Sequence, residues 1–151
     1  SMKTSVKSFN ELSVSELYEI LYLRNLVFVI EQNCVYLDTD RTDHLAHHIC
    51  MYDGTTLAAY ARIFPENIKY PTSSIGRVIV HPNYRGTSLG HDLMHTATQA
   101  IKDLYGSEQV TISAQAHLQR FYSKHGFVTV SSEYLEDDIP HVEMTIKKER
   151  L

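Results

Sequence analysis

Residues 74–80 read Ser-Ile-Gly-Arg-Val-Ile-Val, a β-branched and almost wholly apolar run. Such a run has no polar face to give to water, so it belongs in the middle of a sheet with cover on both sides. It stops at His81-Pro82, and a glycine-bearing turn then leads into a segment carrying Leu89, Leu93, Ala97, Ala100, Ile101 and Leu104 on one face, which predicts a helix over 86–105. Gly106 supplies the stop. A buried strand feeding an amphipathic helix through a tight turn commits the chain to a sheet covered by helices.

The remaining pattern fits that frame. Ser13 with Glu16 forms a capping box, and Leu12 with Leu17 a hydrophobic staple. From there Leu17, Ile20, Leu21, Arg24, Val27 and Phe28 trace one mostly apolar face, which predicts a helix over 14–31. An irregular acidic stretch follows, holding Asp38, Asp40 and Asp43. Residues 48–52 and 56–64 read as strands joined at Asp53-Gly54, a strong hairpin signal. Pro65 and Pro71 bracket a loop before the central strand. Beyond the long helix come a strand at 110–114, a short helix at 117–125 closed by Gly126, and strands at 127–130 and 142–146. With a weak first strand at 3–9, the order is β, α, β, β, β, α, β, α, β, β, an α/β sandwich on a mixed sheet. The 151 residues suit one domain spanning 1–151, able to bury roughly 70% of its unfolded surface.

Charge and cysteine usage exclude several classes. Net charge is -4 and the 14 Lys and Arg are scattered, so the basic stripe of a nucleic-acid binder is missing. Two cysteines, Cys34 and Cys50, do not make a disulfide scaffold, and a reducing cytoplasm is the expected compartment. Residues 1–10 lack the apolar core of a secretory signal, and Ser1 before Met2 reads as a residue left by tag cleavage. The greasiest run, 26–30, falls far short of the roughly 20 residues that cross a bilayer.

The strand, turn and helix start at 78–90 outline an anion site. The first N–H groups of a helix have no intrahelical acceptor and lie at the positive end of its dipole. Gly86, Ser88 and Gly90 keep them open to a pyrophosphate. The spacing is neither the G-x-G-x-x-G of dinucleotide sites nor a P-loop, which needs Gly-Lys-Ser/Thr. Arg85-Gly86-Thr87-Ser88-Leu89-Gly90 instead resembles motif A of the GNAT acetyltransferases, with Ser88 where that family usually has glycine. Residues 116–127 resemble motif B, a short helix ending in Tyr-x-x-x-Gly-Phe, carried by Tyr122, Gly126 and Phe127. On a purely structural account, Tyr122 is an amphipathic helix residue and Phe127 begins a core strand. Segments 27–36, 75–80, 114–119 and 139–141 with Met144 resemble the ElaA-like branch, so the likeness covers nearly the whole chain.

The resemblance implies a mixed, mostly antiparallel sheet splayed between strands 4 and 5, with helices on both faces and acetyl-CoA as co-substrate. Val78, Ile79 and Val80 would serve the acyl and pantetheine parts, Arg85, Gly86, Thr87, Ser88, Leu89 and Gly90 the pyrophosphate, and Gln115 an amide contact to the cofactor. Tyr122 would be the general acid for the CoA sulfur. An amine acceptor with a pKa of about 10 also needs a base. Glu31, Glu133, His117 and His141 are candidates because the matched segments place them toward the acceptor side. The acidic run with Glu136, Asp137 and Asp138, read as an exposed loop, suits a cationic acceptor.

Two other readings stay open. His91 and His95, at i and i+4 with Asp92 between them, have the spacing of a zinc-dependent hydrolase, although solvent-facing histidines explain them equally and no resident metal is expected. A CoA-binding module without catalysis would keep the same cradle. A monomer or a homodimer is expected, and no nucleic-acid or membrane partner.

Overall fold

A single bulge in the central strand organises the sheet. The computed structural model describes residues 2–107 and 109–147, so Ser1, read above as a cleavage remnant, lies outside the described residues. The strands are β1 (Met2–Ser8), β2 (His47–Asp53), β3 (Thr56–Phe64), β4 (Ser73–Val80), β5 (Gln109–Gln115), β6 (Val128–Thr129), β7 (Tyr134–Glu136) and β8 (Ile139–Lys147). They run in the order β1-β2-β3-β4-β5-β8-β6, with β7 also paired to β8. Neighbours are antiparallel except β4 and β5, which are parallel and pair only at Ser73↔Val110 and Ser74↔Thr111.

Past those two rungs the sheet splits. Arg77 stands at φ 51, and the register of β4 against β3 shifts between Tyr60 and Arg62, so Arg77 and Val78 fall outside both neighbouring ladders. An extra residue in one strand bends it and sharpens its twist, which turns the end of β4 away from β5. This is the splay expected between strands 4 and 5.

Helices cover both faces, as expected. On one face, α2 (Leu89–Tyr105) sets Leu93, Met94, Ala97 and Ile101 against Ile49, Ala59, Ala61 and Ile63. On the other, α1 (Val14–Arg24) packs Ile20 and Leu23 with Cys50, Tyr60 and Ile79. The Ser13–Glu16 capping box is present, with Glu16 N–H donating to Ser13 Oγ at 3.0 Å. The short α3 (Gln119–Ser123) buries Tyr122 beside the α2 core. Among the described residues no helix is long and apolar enough to cross a membrane.

Three elements differ from the sequence expectation. The helix predicted over 14–31 is α-helical only to Arg24 and continues as a π-helical turn, Asn25–Glu31. α2 begins at Leu89, three residues later than 86, because Gly86 stands at φ 79 and cannot enter an α-helix. The acidic run taken for a loop contains β7, which returns into β8 through Asp137 and Asp138 at φ 50 and 62, the conformation of a type I′ turn.

Candidate active site

Two cavities open into the split between β4 and β5, and a few side chains wall both. The larger, about 720 Å³, runs from the π-helical turn past the end of β4 to the start of α2. The smaller, about 310 Å³, lies toward the loop after the π-helical turn and the β7–β8 hairpin. Val78, Gln115 and Tyr122 border both.

The larger cleft ends on the cradle predicted from sequence. Among the described residues, the N–H groups of Gly86, Thr87, Ser88 and Gly90 have no acceptor within the protein. Ser88 is the N-cap of α2, yet its hydroxyl makes no capping bond. The Leu89 N–H differs from the expectation: it donates to Thr87 Oγ1 at 3.2 Å, and its side chain is buried in the core. Gly90 serves packing as well, since a Cβ there would sit 3.4 Å from the Phe121 ring and 3.6 Å from Val80. A Cβ at Gly86 would meet nothing, so that glycine is required by its φ of +79°.

Arg85 locks the rim of this cleft. Its guanidinium donates to both carboxylate oxygens of Glu31, at 2.8 and 2.7 Å, and its Nε donates to the Val80 carbonyl at 3.2 Å. The Arg85 hydrogen bonds hold the Glu31 carboxyl below the usual range, which weakens it as a base. Glu31 lines the larger cleft rather than the acceptor side, and so does the exposed His117. Glu133 is exposed and borders neither cavity.

Tyr122 occupies the junction. Only 6% of its surface remains exposed, and among the described residues its hydroxyl has no hydrogen-bond partner. Burial pushes its pKa up to about 12, so the phenol keeps its proton at neutral pH. His141, on β8, borders the smaller cavity. Its Nδ1–H donates to the Ile139 carbonyl at 2.6 Å, which leaves Nε2 facing Glu136 at 3.4 Å. A ring fixed in that tautomer offers Nε2 as the basic nitrogen.

The Acetyltransferase (GNAT) domain model matches residues 27–148. The chain belongs to the GNAT acetyltransferase family. ElaA of Escherichia coli strain K12 is 43% identical over 137 residues, 89% of this chain and 90% of ElaA. A UPF0039 protein of Schizosaccharomyces pombe is 41% identical over 143 residues, 93% of this chain and 94% of that protein. The crystal structure of an acyl-CoA N-acyltransferase from Pseudomonas aeruginosa superposes with a TM-score of 0.91 at 41% identity, over 96% of this chain and 99% of the other. The GNAT fold and an ElaA-like sequence are thus both present in this chain.

Within this GNAT domain, the histidines with zinc-like spacing are arranged otherwise. His91 borders the larger cleft and shares a 2.8 Å ring hydrogen bond with His125, against which His95 packs edge-on. Among the described residues no group of three or more His, Cys, Asp or Glu is arranged to hold a metal ion. What the sequence did not suggest is a buried ionic network behind the smaller cavity. Arg24 is fully buried on the inner face of α1 and donates to Asp38 and Asp43, both at 2.7 Å. Arg62 reaches Asp40 and Asp43, Arg77 reaches Asp38, and Lys69 reaches Asp40. One sign was there: an arginine on an otherwise apolar helical face needs a buried acid, and three aspartates follow it.

Proposed function

We propose that the protein transfers an acetyl group from acetyl-CoA directly to a primary amine, with the whole chain acting as one catalytic unit. The observation that carries this reading is Tyr122, a protonated phenol with no partner among the described residues, at the meeting point of a cradle of free N–H groups and a second cavity. The name of the Pseudomonas relative, an acyl-CoA N-acyltransferase, supports the reaction class.

The diphosphate of CoA takes the N–H groups of Gly86, Thr87, Ser88 and Gly90, and its arm follows Val78, Ile79 and Val80 into the split, with Gln115 beside it. The acceptor enters the smaller cavity as an ammonium and gives one proton to His141 Nε2. Its nitrogen then attacks the thioester carbon, and the new oxyanion is held by backbone N–H groups at the bulge of β4. Collapse restores the carbonyl and breaks the C–S bond while Tyr122 protonates the sulfur. The nitrogen's second proton refills the phenol through solvent. One net proton, taken up by His141, leaves per turnover. Arg85 and Glu31 act as a clamp on the cofactor rim.

Calorimetric titration with acetyl-CoA, CoA and ATP is the first test. Saturable binding of both CoA species and none of ATP is expected. A protein that binds none of the three lacks the proposed cradle function, whereas tight CoA binding with no thiol release across many amines would identify a binding module instead.

A further inference from the structure

The smaller cavity is divided by charge. Arg62, Lys69 and Arg77 stand on the β3–β4 side with Asp40 paired among them, and Glu136, Asp137 and His141 on the β7–β8 side. The basic side belongs to the ionic network, in which four cations, Arg24, Arg62, Lys69 and Arg77, share three carboxylates, Asp38, Asp40 and Asp43. One positive charge is therefore in excess. The excess rests on Lys69, the exposed member of the network, where a ligand of opposite sign can reach it.

Two orphaned donors lie on the same side. Among the described residues, Arg62 Nε and Ser74 Oγ are buried without a hydrogen-bond partner, in side chains belonging to residues only 2% and 3% exposed. Both residues line the cavity. The β3–β4 register pairs Phe64 with Ser74 and Arg62 with Gly76, which puts Arg62 and Ser74 on one face of the sheet. Lys69 Nζ and the Arg62 guanidinium flank Phe64 at 5.3 and 5.0 Å from the ring centre. Unsatisfied buried donors cost about 1–3 kcal/mol each, so they call for an acceptor that arrives with a ligand.

We propose that the acceptor is a zwitterion, a primary amine that also carries a carboxylate. The carboxylate sits at Arg62, Ser74 and Lys69, and the ammonium points toward Glu136 and His141, beside Tyr122. This rests on the acyl-transfer reading of the same site. Acylation removes the ammonium charge but leaves the carboxylate, so the product loses its hold on the acidic side and keeps only the basic one.

The test pairs acids with the amines left by removing the carboxylate: β-alanine with ethylamine, L-leucine with isopentylamine, L-phenylalanine with phenethylamine, L-lysine with cadaverine. Binding to the CoA-loaded protein is read by calorimetry, and thiol release is read separately with acetyl-CoA. At least one acid is expected to bind and react ten-fold or more better than its amine. Ser74→Ala removes an oxygen with no partner among the described residues, so it should leave Tm unchanged or higher, yet raise KM for the acid several-fold without touching acetyl-CoA affinity. Lys69→Met should cut the acid-over-amine preference below about three-fold. Amines that match their acids, or acids that fail to bind at all, would overturn the zwitterion. Acid binding without thiol release would instead sink acyl transfer and leave the zwitterion site standing.

Discussion

Tyr122 shows what a residue can do when its surroundings leave its polar tip alone. Its ring is buried against Phe121 and Phe127, and the residue borders both cavities. Tyr122→Phe keeps the ring and its packing, so acetyl-CoA affinity should persist while kcat falls by on the order of 10² if the phenol is the proton donor. Steady-state kinetics with calorimetry on the same preparation checks both. Because its pKa lies near 12, Tyr122 should add no basic limb to the rate profile between pH 7 and 10. The place of Tyr122 at the junction of the two cavities was legible because the motif that carries it is a local spacing. The proposed base was not: of the four candidates, only His141 borders the smaller cavity, and it gets there through strand pairing with β5 and β7.

At the scale of elements, the start of α2 is a helix terminus whose N-cap hydroxyl, on Ser88, makes no capping bond. Gly86→Val would force a branched side chain to φ +79°, costing stability of order 1–2 kcal/mol and displacing the N–H groups. Acetyl-CoA affinity should drop ten-fold or more, with far-UV circular dichroism unchanged. Equal affinity would contradict the cradle. Elements with conventional signals, such as the Asp53-Gly54 hairpin and the capped α1, were plain from the sequence. The π-helical turn was not, since its apolar residues continue the α period closely enough to hide one wider turn. β7 was hidden because a run of acids reads as solvated surface, and two aspartates in left-handed conformation look like any charged pair.

For the whole molecule, the ionic network sets how stability depends on pH. Burial alone would raise the Asp40 and Asp43 carboxyls, but Arg62, Thr42, Lys69 and Arg24 hold both below their ordinary values. Carboxyls depressed in the folded state contribute stability above about pH 4 and lose it as pH falls further. On the alkaline side, burial raises Cys50, Tyr60 and Tyr122, so stability should fall above about pH 9, where the unfolded Cys50 thiol ionises first and the tyrosines follow. Urea titrations from pH 3 to 11 would show a plateau with losses at both ends. Arg24→Met should lower the plateau by about 3 kcal/mol and leave its alkaline end in place, because the arginine's carboxylates lose a buried partner. The network escaped a linear reading because its pairs are 14 to 39 residues apart.

The short pairing of β4 with β5 has a cost that no single contact reveals. Beyond Ser74 and Thr111 the protein carries two exposed strand edges in the middle of its own sheet, where proteins with closed or covered sheets carry none. Any extended chain that enters the split could add itself there as a stray strand. In the proposed complex the amide-bearing arm of CoA takes that place, so the co-substrate would also act as a plug. Cofactor-starved protein should then be the form most prone to self-association.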